Sequence, residues 1–304
     1  MNYKAIKKEL FFVRKAFFEY GRGFDYLLNK YRLAPRILKL NRILERPMNN
    51  KSLAMHVLSC HKDIVMLAWS LASFYINSSV IGQLYIHDDG TLTQADKKAL
   101  TRFFPSSKIR DTGKFVSEFG SGLSAYPIIR AFRQKYVGYF SFKKIVDPFF
   151  SCSEPNILIF DSDVLWFRKP ALLEREIGNG CPNSWMMKNN GEIYVSFKNG
   201  GKLADTLARF NAGIILFSRA NLDLRALEEF FAKLDTERER NLHFADQAGF
   251  ASALRNLEYL PEEDYIIKGA LSEVTTVKHY TNPRRPLFYI EALPRLLPVI
   301  IAKS

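Results

Sequence analysis

Cysteine is scarce in this chain. Its three cysteines, Cys60, Cys152 and Cys181, lie far apart, with no Cys-x-x-Cys pair and no histidine at zinc-finger spacing. That pattern excludes a disulfide framework and a structural zinc site. Long hydrophobic runs are missing too: the longest, such as residues 296–302, fall far short of the roughly 20 residues that span a bilayer. The basic start, residues 1–15, is not followed by an apolar stretch and a small-residue cleavage site, so no signal peptide is expected. Together these absences predict a chain at work in a reducing, cytoplasmic compartment. Internal repeats and low-complexity tracts are also lacking. What is present is 304 residues, 47% of them hydrophobic and 25% charged. A chain of that size buries about three quarters of the surface its unfolded form exposes, which excludes disordered and collagen-like classes. One large domain, or one with an appendage, is expected.

Acidic residues are in deficit, 31 against 44 Lys and Arg, for a net charge of +13. The deficit is concentrated at the start. Residues 1–46 hold twelve basic side chains against Glu9, Glu19, Asp25 and Glu45, a net +8, which leaves +5 for the other 258 residues. Within that segment Ile6, Leu10, Val13 and Phe17 recur at helical spacing, while Lys7, Lys8, Arg14 and Lys15 fall largely elsewhere on the wheel. This predicts a basic amphipathic helical segment over residues 1–50, ahead of a main domain over 51–304. Two readings stay open: the stripe packs on the main domain with its charges solvated, or residues 1–46 dock peripherally on the anionic inner face of a membrane. Nucleic acid is not an expected partner.

After Pro47-Met48-Asn49-Asn50 the pattern alternates between strand and helix. Residues 55–60 read as a buried strand, 64–74 as a helix and 83–86 as a second strand running into the turn His87-Asp88-Asp89-Gly90. Thr93 has the character of an N-cap, with Asp96 three residues on and a helix through Phe103. Residues 108–110 form a weak third strand, 128–146 a long helix, and Ile157-Leu158-Ile159-Phe160 a central strand that ends on Asp161. Residues 185–188 and 192–195, joined by Asn189-Asn190-Gly191, resemble a hairpin. A strand over 211–217 and helices over 224–234 and about 246–255 follow. Alternation of this kind implies an α/β fold, a mixed and mostly parallel central sheet covered by helices, with ligands gathering at the carboxyl ends of its strands.

Asp161 and Asp163 would lie at such an end. Two carboxylates one residue apart concentrate negative charge, and a divalent cation such as Mn²⁺ or Mg²⁺ resolves it. Phosphatases of the haloacid dehalogenase type place Asp-x-Asp after a similar strand, so a phosphatase using Asp161 as nucleophile is the competing reading. His87-Asp88-Asp89-Gly90-Thr91-Leu92 imitates that signature with His in the nucleophile position and reads as a turn. Three further segments carry polar chemistry. Asn211-Ala212-Gly213 opens a strand where small residues let a ligand approach the backbone. Asp246-Gln247 sits at a helix start, and His279-Tyr280-Thr281-Asn282-Pro283-Arg284-Arg285 sets an imidazole beside two guanidinium groups.

In this order the segments resemble GT-A-fold glycosyltransferases, closest to glycosyltransferase family 8, which includes glycogenin-like and lipopolysaccharide galactosyl- and glucosyltransferase-like enzymes. The resemblance covers roughly residues 53–290. Its motifs are Asp161-Ser162-Asp163, Phe210-Asn211-Ala212-Gly213, Asp246-Gln247 and His279-Tyr280, with Lys144 as the basic residue on the helix before the acidic strand. The chain departs from the family at Asn282 (Gly in the family), Arg285 (Lys) and Leu287 (Trp), and has Ser59-Cys60-His61-Lys62-Asp63 where an Asp with a nearby Tyr is usual. The resemblance implies a Rossmann-like GT-A domain and a retaining hexosyltransferase acting in cell-surface polysaccharide or lipopolysaccharide synthesis. Its partners would be a nucleotide-diphosphate sugar, UDP-linked, and a glycan or lipid-linked acceptor. Asp161, Asp163 and His279 would hold Mn²⁺ or Mg²⁺. Lys144, Asp161, Ser162, Asp163, Asn211, Ala212, Gly213 and Arg285 would bind the donor, and Asp246 and Gln247 would face the transferred sugar. A non-catalytic nucleotide-sugar-binding protein of the same fold is a further alternative. The acceptor is expected on residues 171–209, with Trp185 and Tyr194 as stacking surfaces.

Overall fold

The computed structural model describes residues 3–136 and 138–301. Among these residues ten strands run in chain order: β1 Leu53–Ser59, β2 Gln83–Asp88, β3 Lys108–Asp111, β4 Asn156–Asp161, β5 Val164–Trp166, β6 Ser184–Lys188, β7 Phe210–Ser218, β8 Leu257–Tyr259, β9 Tyr265–Ile266 and β10 Val277–His279. Seven of them make one sheet of order β3-β2-β1-β4-β7-β6-β8. Strands β3, β2, β1 and β4 are parallel, β7 runs against both β4 and β6, and β8 is parallel to β6. This is the mixed, mostly parallel α/β sheet expected from the alternation.

Period-two alternation along the central strands builds two layers of core. In β4, Leu158 and Phe160 face one side, among residues of the helix Ile64–Asn77. Ile157 and Ile159 face the other, among residues of the helices Phe140–Phe150, Leu224–Lys233 and Ala245–Ala253. Strand β7 alternates in the same way, with Ile214 and Leu216 on the first side and Ile215 and Phe217 on the second. Burial on both faces is why these strands are written as continuous apolar runs. Thr93 caps the helix Gln94–Phe103 in a reciprocal capping box with Asp96, as its spacing predicts.

Two local expectations fail within the main domain. The helix expected over 128–146 is two helices, Pro127–Lys135 and Phe140–Phe150, separated around Gly138. Arg133 on the first makes a fully buried bidentate pair with Asp147 on the second, at 2.6 and 2.8 Å, and also donates to the Thr112 carbonyl at 2.7 Å. In one continuous helix these two residues would stand about 21 Å apart. The hairpin expected over 185–195 is absent as well. Strand β6 pairs with β7 and β8, while residues 189–195 form a loop tied by Asn189 N–H to Arg209 O and Ile193 N–H to Ala208 O. Ile193 and Val195 alternate as a strand would, but their side chains are spent on the second core layer.

A third apolar cluster joins the first helices to the end of the chain. Phe12, Ala16, Tyr26, Ala34 and Ile37 pack with Trp69, Tyr280, Phe288 and Leu293, and the Trp69 indole donates to the Ala34 carbonyl at 3.0 Å. The inward face of the helix Tyr3–Phe18 is therefore Phe12 and Ala16, a third of a turn away from the stripe expected at Ile6, Leu10, Val13 and Phe17. Ile6 and Leu10 are exposed. No helix among the described residues is long and apolar enough to cross a membrane.

A candidate metal and ligand cleft at the sheet switch point

Strand β1 leads outward to β2 and β3, whereas its other neighbour, β4, leads to the opposite half of the sheet. A crevice opens beyond the carboxyl ends of β1 and β4, where Leu58 lies opposite Asp161. The second sheet, of order β5-β10-β9, completes it. Strand β5 follows Asp163 directly and pairs antiparallel with β10 so that Val164 is opposite His279. The Tyr280 N–H donates to the Asp163 carbonyl at 2.9 Å. This register brings together groups more than a hundred residues apart: His279 Nε2 is 3.1 Å from Asp163 Oδ1 and 3.5 Å from Asp161 Oδ2.

The imidazole is held from behind. Asn211 Oδ1 accepts the Gly213 N–H at 2.9 Å, which identifies that atom as the amide oxygen, and the same oxygen lies 3.0 Å from His279 Nδ1. Nδ1 must then carry the proton and donate it, leaving the Nε2 lone pair facing the two carboxylates. Two carboxylates and a lone pair converging in a buried place repel one another unless a cation lies between them. One ligand atom from each of Asp161, Asp163 and His279 falls within 4.8 Å of the others, and this donor set suits Mn²⁺ or Mg²⁺. Gly213 has a specific reason to be glycine: a Cβ there would lie 2.1 Å from His279 Nδ1. The Asn211 amide nitrogen donates to Gln247 Oε1 at 3.3 Å, so one side chain orients both the imidazole and the neighbouring amide.

Two basic groups brace the carboxylates. Lys144, buried on the helix Phe140–Phe150, donates to Asp161 Oδ1 at 2.6 Å and to the Ala212 carbonyl, and lies 3.8 Å from Asp246 Oδ2. Gly249, on the helix of Asp246, lies close against the lysine's helix, where a Cβ would come 2.4 Å from Ile145 Cδ1. Arg285 donates through Nε to Asp163 Oδ2 at 3.1 Å and forks onto both oxygens of Asp63 at 2.9 and 3.1 Å. Burial alone would push the Asp163 carboxyl up, but the charge of Arg285 and its hydrogen bond prevail and hold it well below the usual carboxylate range. Asp246 is shifted the other way: burial raises it, with a further push from Asp161 that the Lys144 charge only partly opposes.

Two cavities meet on these carboxylates. One, of about 530 Å³, runs past Asn211, Ala212, Gly213, Gln247 and His279 to the 189–193 loop, Lys268 and Arg284. The other, of about 430 Å³, is lined by Leu58, Ser59, Cys60, Asp63, Asp89, Tyr139, Lys144, Ser162 and Arg285. Asp161, Asp163, His243 and Asp246 belong to both. Every residue singled out in the sequence as a metal, donor or catalytic candidate thus lies on this double cleft. Trp185 does not: it packs against the first core layer. Tyr194 borders a separate cavity that shares the 189–192 loop with the cleft, and donates to Glu192 at 2.6 Å.

No protein-family model matches the sequence, and no curated protein does. Several solved structures are similar in fold. The apo structure of the WbbM bifunctional glycosyltransferase is 15% identical over 84% of this chain, with a TM-score of 0.49, and this chain spans about half of it, 51%. Mouse xyloside xylosyltransferase 1, also apo, is 12% identical over 77% of this chain and 98% of its own, with a TM-score of 0.48. The galactosyltransferase LgtC, solved with donor and acceptor sugar analogs, is 12% identical over 82% of this chain and 96% of its own, with a TM-score of 0.47. At such identities and scores these likenesses say nothing of what this chain binds or does.

Sequence reasoning missed Asp63, Asp89, Tyr139, His243, Lys268 and the 189–193 loop as cleft residues. Asp63 had a faint signal, a carboxylate just after the first strand, but its pairing with Arg285 depends on a contact across 222 positions. His243 ends the short helix Glu239–His243, and the others stand in turns and loops with no pattern of their own.

Proposed function

We propose that this chain is a metal-dependent glycosyltransferase that moves a hexose from a nucleotide-diphosphate sugar, a UDP-sugar, to a glycan or lipid-linked acceptor. The observation that carries this reading is the double cleft: two compartments share a wall of Asp161, Asp163 and Asp246, with an imidazole lone pair aimed at the first two. A nucleoside suits the compartment lined by Ser59, Cys60, Asp89 and Tyr139. The sugar and its acceptor suit the one lined by Asn211, Gln247 and Lys268, and a diphosphate would bridge them at the carboxylates. Asp161, Asp163 and His279 would hold the divalent ion, which when bound supplies positive charge against the departing diphosphate.

The chain's own residues do the remaining work. Lys144 fixes one oxygen of Asp161 and leaves the other turned towards His279. Its ammonium is already engaged by Asp161, Ala212 and Asp246, so it positions the acidic pair and offsets the charge that collects there. Arg285 fixes Asp163 in the same way and adds a preorganised cation to the nucleoside side. Asp246, in the wall between the compartments, and Gln247, lining the sugar compartment, would face the positive charge that develops on the ring. Retention of anomeric configuration is the expected outcome, with the departing phosphate taking the acceptor's proton. The phosphatase alternative is not favoured: Lys144 holds one oxygen of Asp161, and the carboxylate is shared with the Asp163 and His279 cluster that would hold the ion, whereas a nucleophile needs one oxygen free.

Thermal-shift titration with a panel of nucleotide sugars, with Mn²⁺ present or chelated, tests the reading. One UDP-sugar should raise the melting temperature only with metal present, and should fail to do so in Asp163→Asn. A panel in which no nucleotide sugar shifts the protein with either ion overturns the proposal.

A further inference from the structure

The helix Tyr3–Phe18 turns a second face outward. At 3.6 residues per turn, Tyr3, Lys7, Leu10, Phe11, Arg14 and Phe18 fall within an arc of about 100°, opposite the buried Phe12 and Ala16, and all six are exposed. Phe18 is 85% exposed, and Phe24, on the next helix Gly23–Leu28, is 80% exposed. Leu28 and Tyr31 continue the series. Isolated exposed apolar residues are ordinary, but this many large ones within 30 residues are not.

The charge of the same segment is one-sided for a structural reason. Each acidic side chain from Tyr3 to Leu44 is already paired within the segment: Glu9 with Lys30, Glu19 with Lys15, and Asp25 with Arg22. Lys7 and Arg14 are exposed on the apolar face itself, and Arg32, Arg36 and Lys39 are exposed in the same segment. An apolar surface that carries exposed cations, in a segment whose acidic groups are already paired, is complementary to an interface that offers hydrocarbon and phosphate together.

We propose that this face, centred on Leu10, Phe11 and Phe18, docks the protein on an anionic phospholipid surface. The helix that bears it packs against the short helix Arg285–Leu287, next to Arg284 on the cleft wall. Docking therefore leaves one helix between the lipid surface and the Arg284 side of the cleft. The consequence, a saccharide acceptor carried on a membrane lipid, rests on the glycosyltransferase reading. The docking itself does not, and its test contains neither donor nor metal.

The test is flotation of the full chain with vesicles of equal parts phosphatidylglycerol and phosphatidylcholine, and with phosphatidylcholine alone. The protein should float with the anionic vesicles and stay behind with the neutral ones, and added salt should weaken the binding. Leu10→Ser/Phe11→Ser/Phe18→Ser should weaken it about tenfold or more by removing inserted area, and Lys7→Glu/Arg14→Glu by a similar factor through charge. The charge variant keeps the test decisive if the serine variant melts early. Equal flotation with both vesicle types, or undiminished binding by both variants, overturns the proposal. So does a lipid-free dimer in sedimentation equilibrium that the serine variant converts to monomer, because the face would then be covered by a second copy of the chain.

Discussion

Buried histidines serve opposite purposes in two regions of this protein. His56 and His87, on adjacent strands β1 and β2, lie in the core with Nδ1 of the first 2.9 Å from Nε2 of the second, and His56 stacks on the Tyr85 ring at 4.8 Å. Their charged neighbours are Arg110, Arg133 and Arg219, so burial and like charge both keep the rings neutral. His279 is almost as buried, yet its ring nitrogen faces two carboxylates and its back is held by Asn211. The difference teaches that burial alone makes an imidazole a piece of core. A buried imidazole becomes a candidate ligand when charge of the opposite sign, fixed in place by other residues, surrounds its free lone pair.

The comparison is sharpened most by removing the charge. Asp163→Asn keeps the shape of the side chain but takes away the carboxylate that His279 and Arg285 share. Transfer should fall on the order of a thousandfold, as when one preorganised charge is lost from a transition state. His56→Leu, which removes a buried imidazole from the other region, should leave kcat and KM close to the wild-type values. Equal losses in both variants, in an assay with saturating metal, would show that the two regions do not differ as described.

Gly213→Ala is expected to act next most strongly. Its new Cβ would lie 2.1 Å from Nδ1 and 2.6 Å from Cε1 of His279, so the ring has to turn away from its present hydrogen bond to Asn211. Residues that orient a metal-binding imidazole from behind typically govern metal affinity by about 10- to 100-fold. Mn²⁺ binding followed by electron paramagnetic resonance should weaken by that factor. Gly178→Ala, where a Cβ meets nothing within 4 Å, should bind Mn²⁺ as the wild type does. A Gly213→Ala protein with unchanged affinity would mean that the support behind His279 is ornamental.

How much of this was legible beforehand follows from the range of the forces involved. Strand β4 was readable because an apolar run between Asn156 and Asp161 has few alternatives, and the helix after Thr93 because its capping box is local. The cluster of Asp161, Asp163 and His279 was anticipated by motif order, but what holds it was not. The register of Val164 against His279, the fork of Arg285 onto Asp63 and the clash that reserves Gly213 for glycine are all contacts between distant parts of the chain. The break near Gly138 and the failed hairpin over 185–195 have the same origin. A buried Arg133–Asp147 pair and the burial of Ile193 and Val195 overrode local pattern. The apolar stripe on the first helix was misplaced because that helix carries apolar residues on two faces, and periodicity alone does not say which one meets the core.

The smallest effect expected is on stability, and it concerns the core pair. His87 is held down to about 3 by burial and by the charges of Arg110 and Arg133, and His56 lies well below its ordinary value through burial, His87, Arg219 and Arg110. Unfolded, both would titrate near 6.5. A folded-state value below the unfolded one means that the unfolded chain takes up protons the folded chain refuses. The pair's contribution is therefore complete above about pH 7 and is lost as pH falls below about 6.5, by up to about 1.4 kcal/mol per pH unit for each ring. Urea unfolding at pH 7 and pH 5 should show this loss in the wild type, and the difference between the two pH values should shrink in His56→Leu/His87→Leu. Because Asp147, pushed up to about 6 by burial, titrates over the same interval in both proteins, the comparison isolates the histidines. An unchanged pH difference in the double variant would mean that the two core imidazoles are already free to charge, and that the contrast with His279 is one of position and not of chemistry.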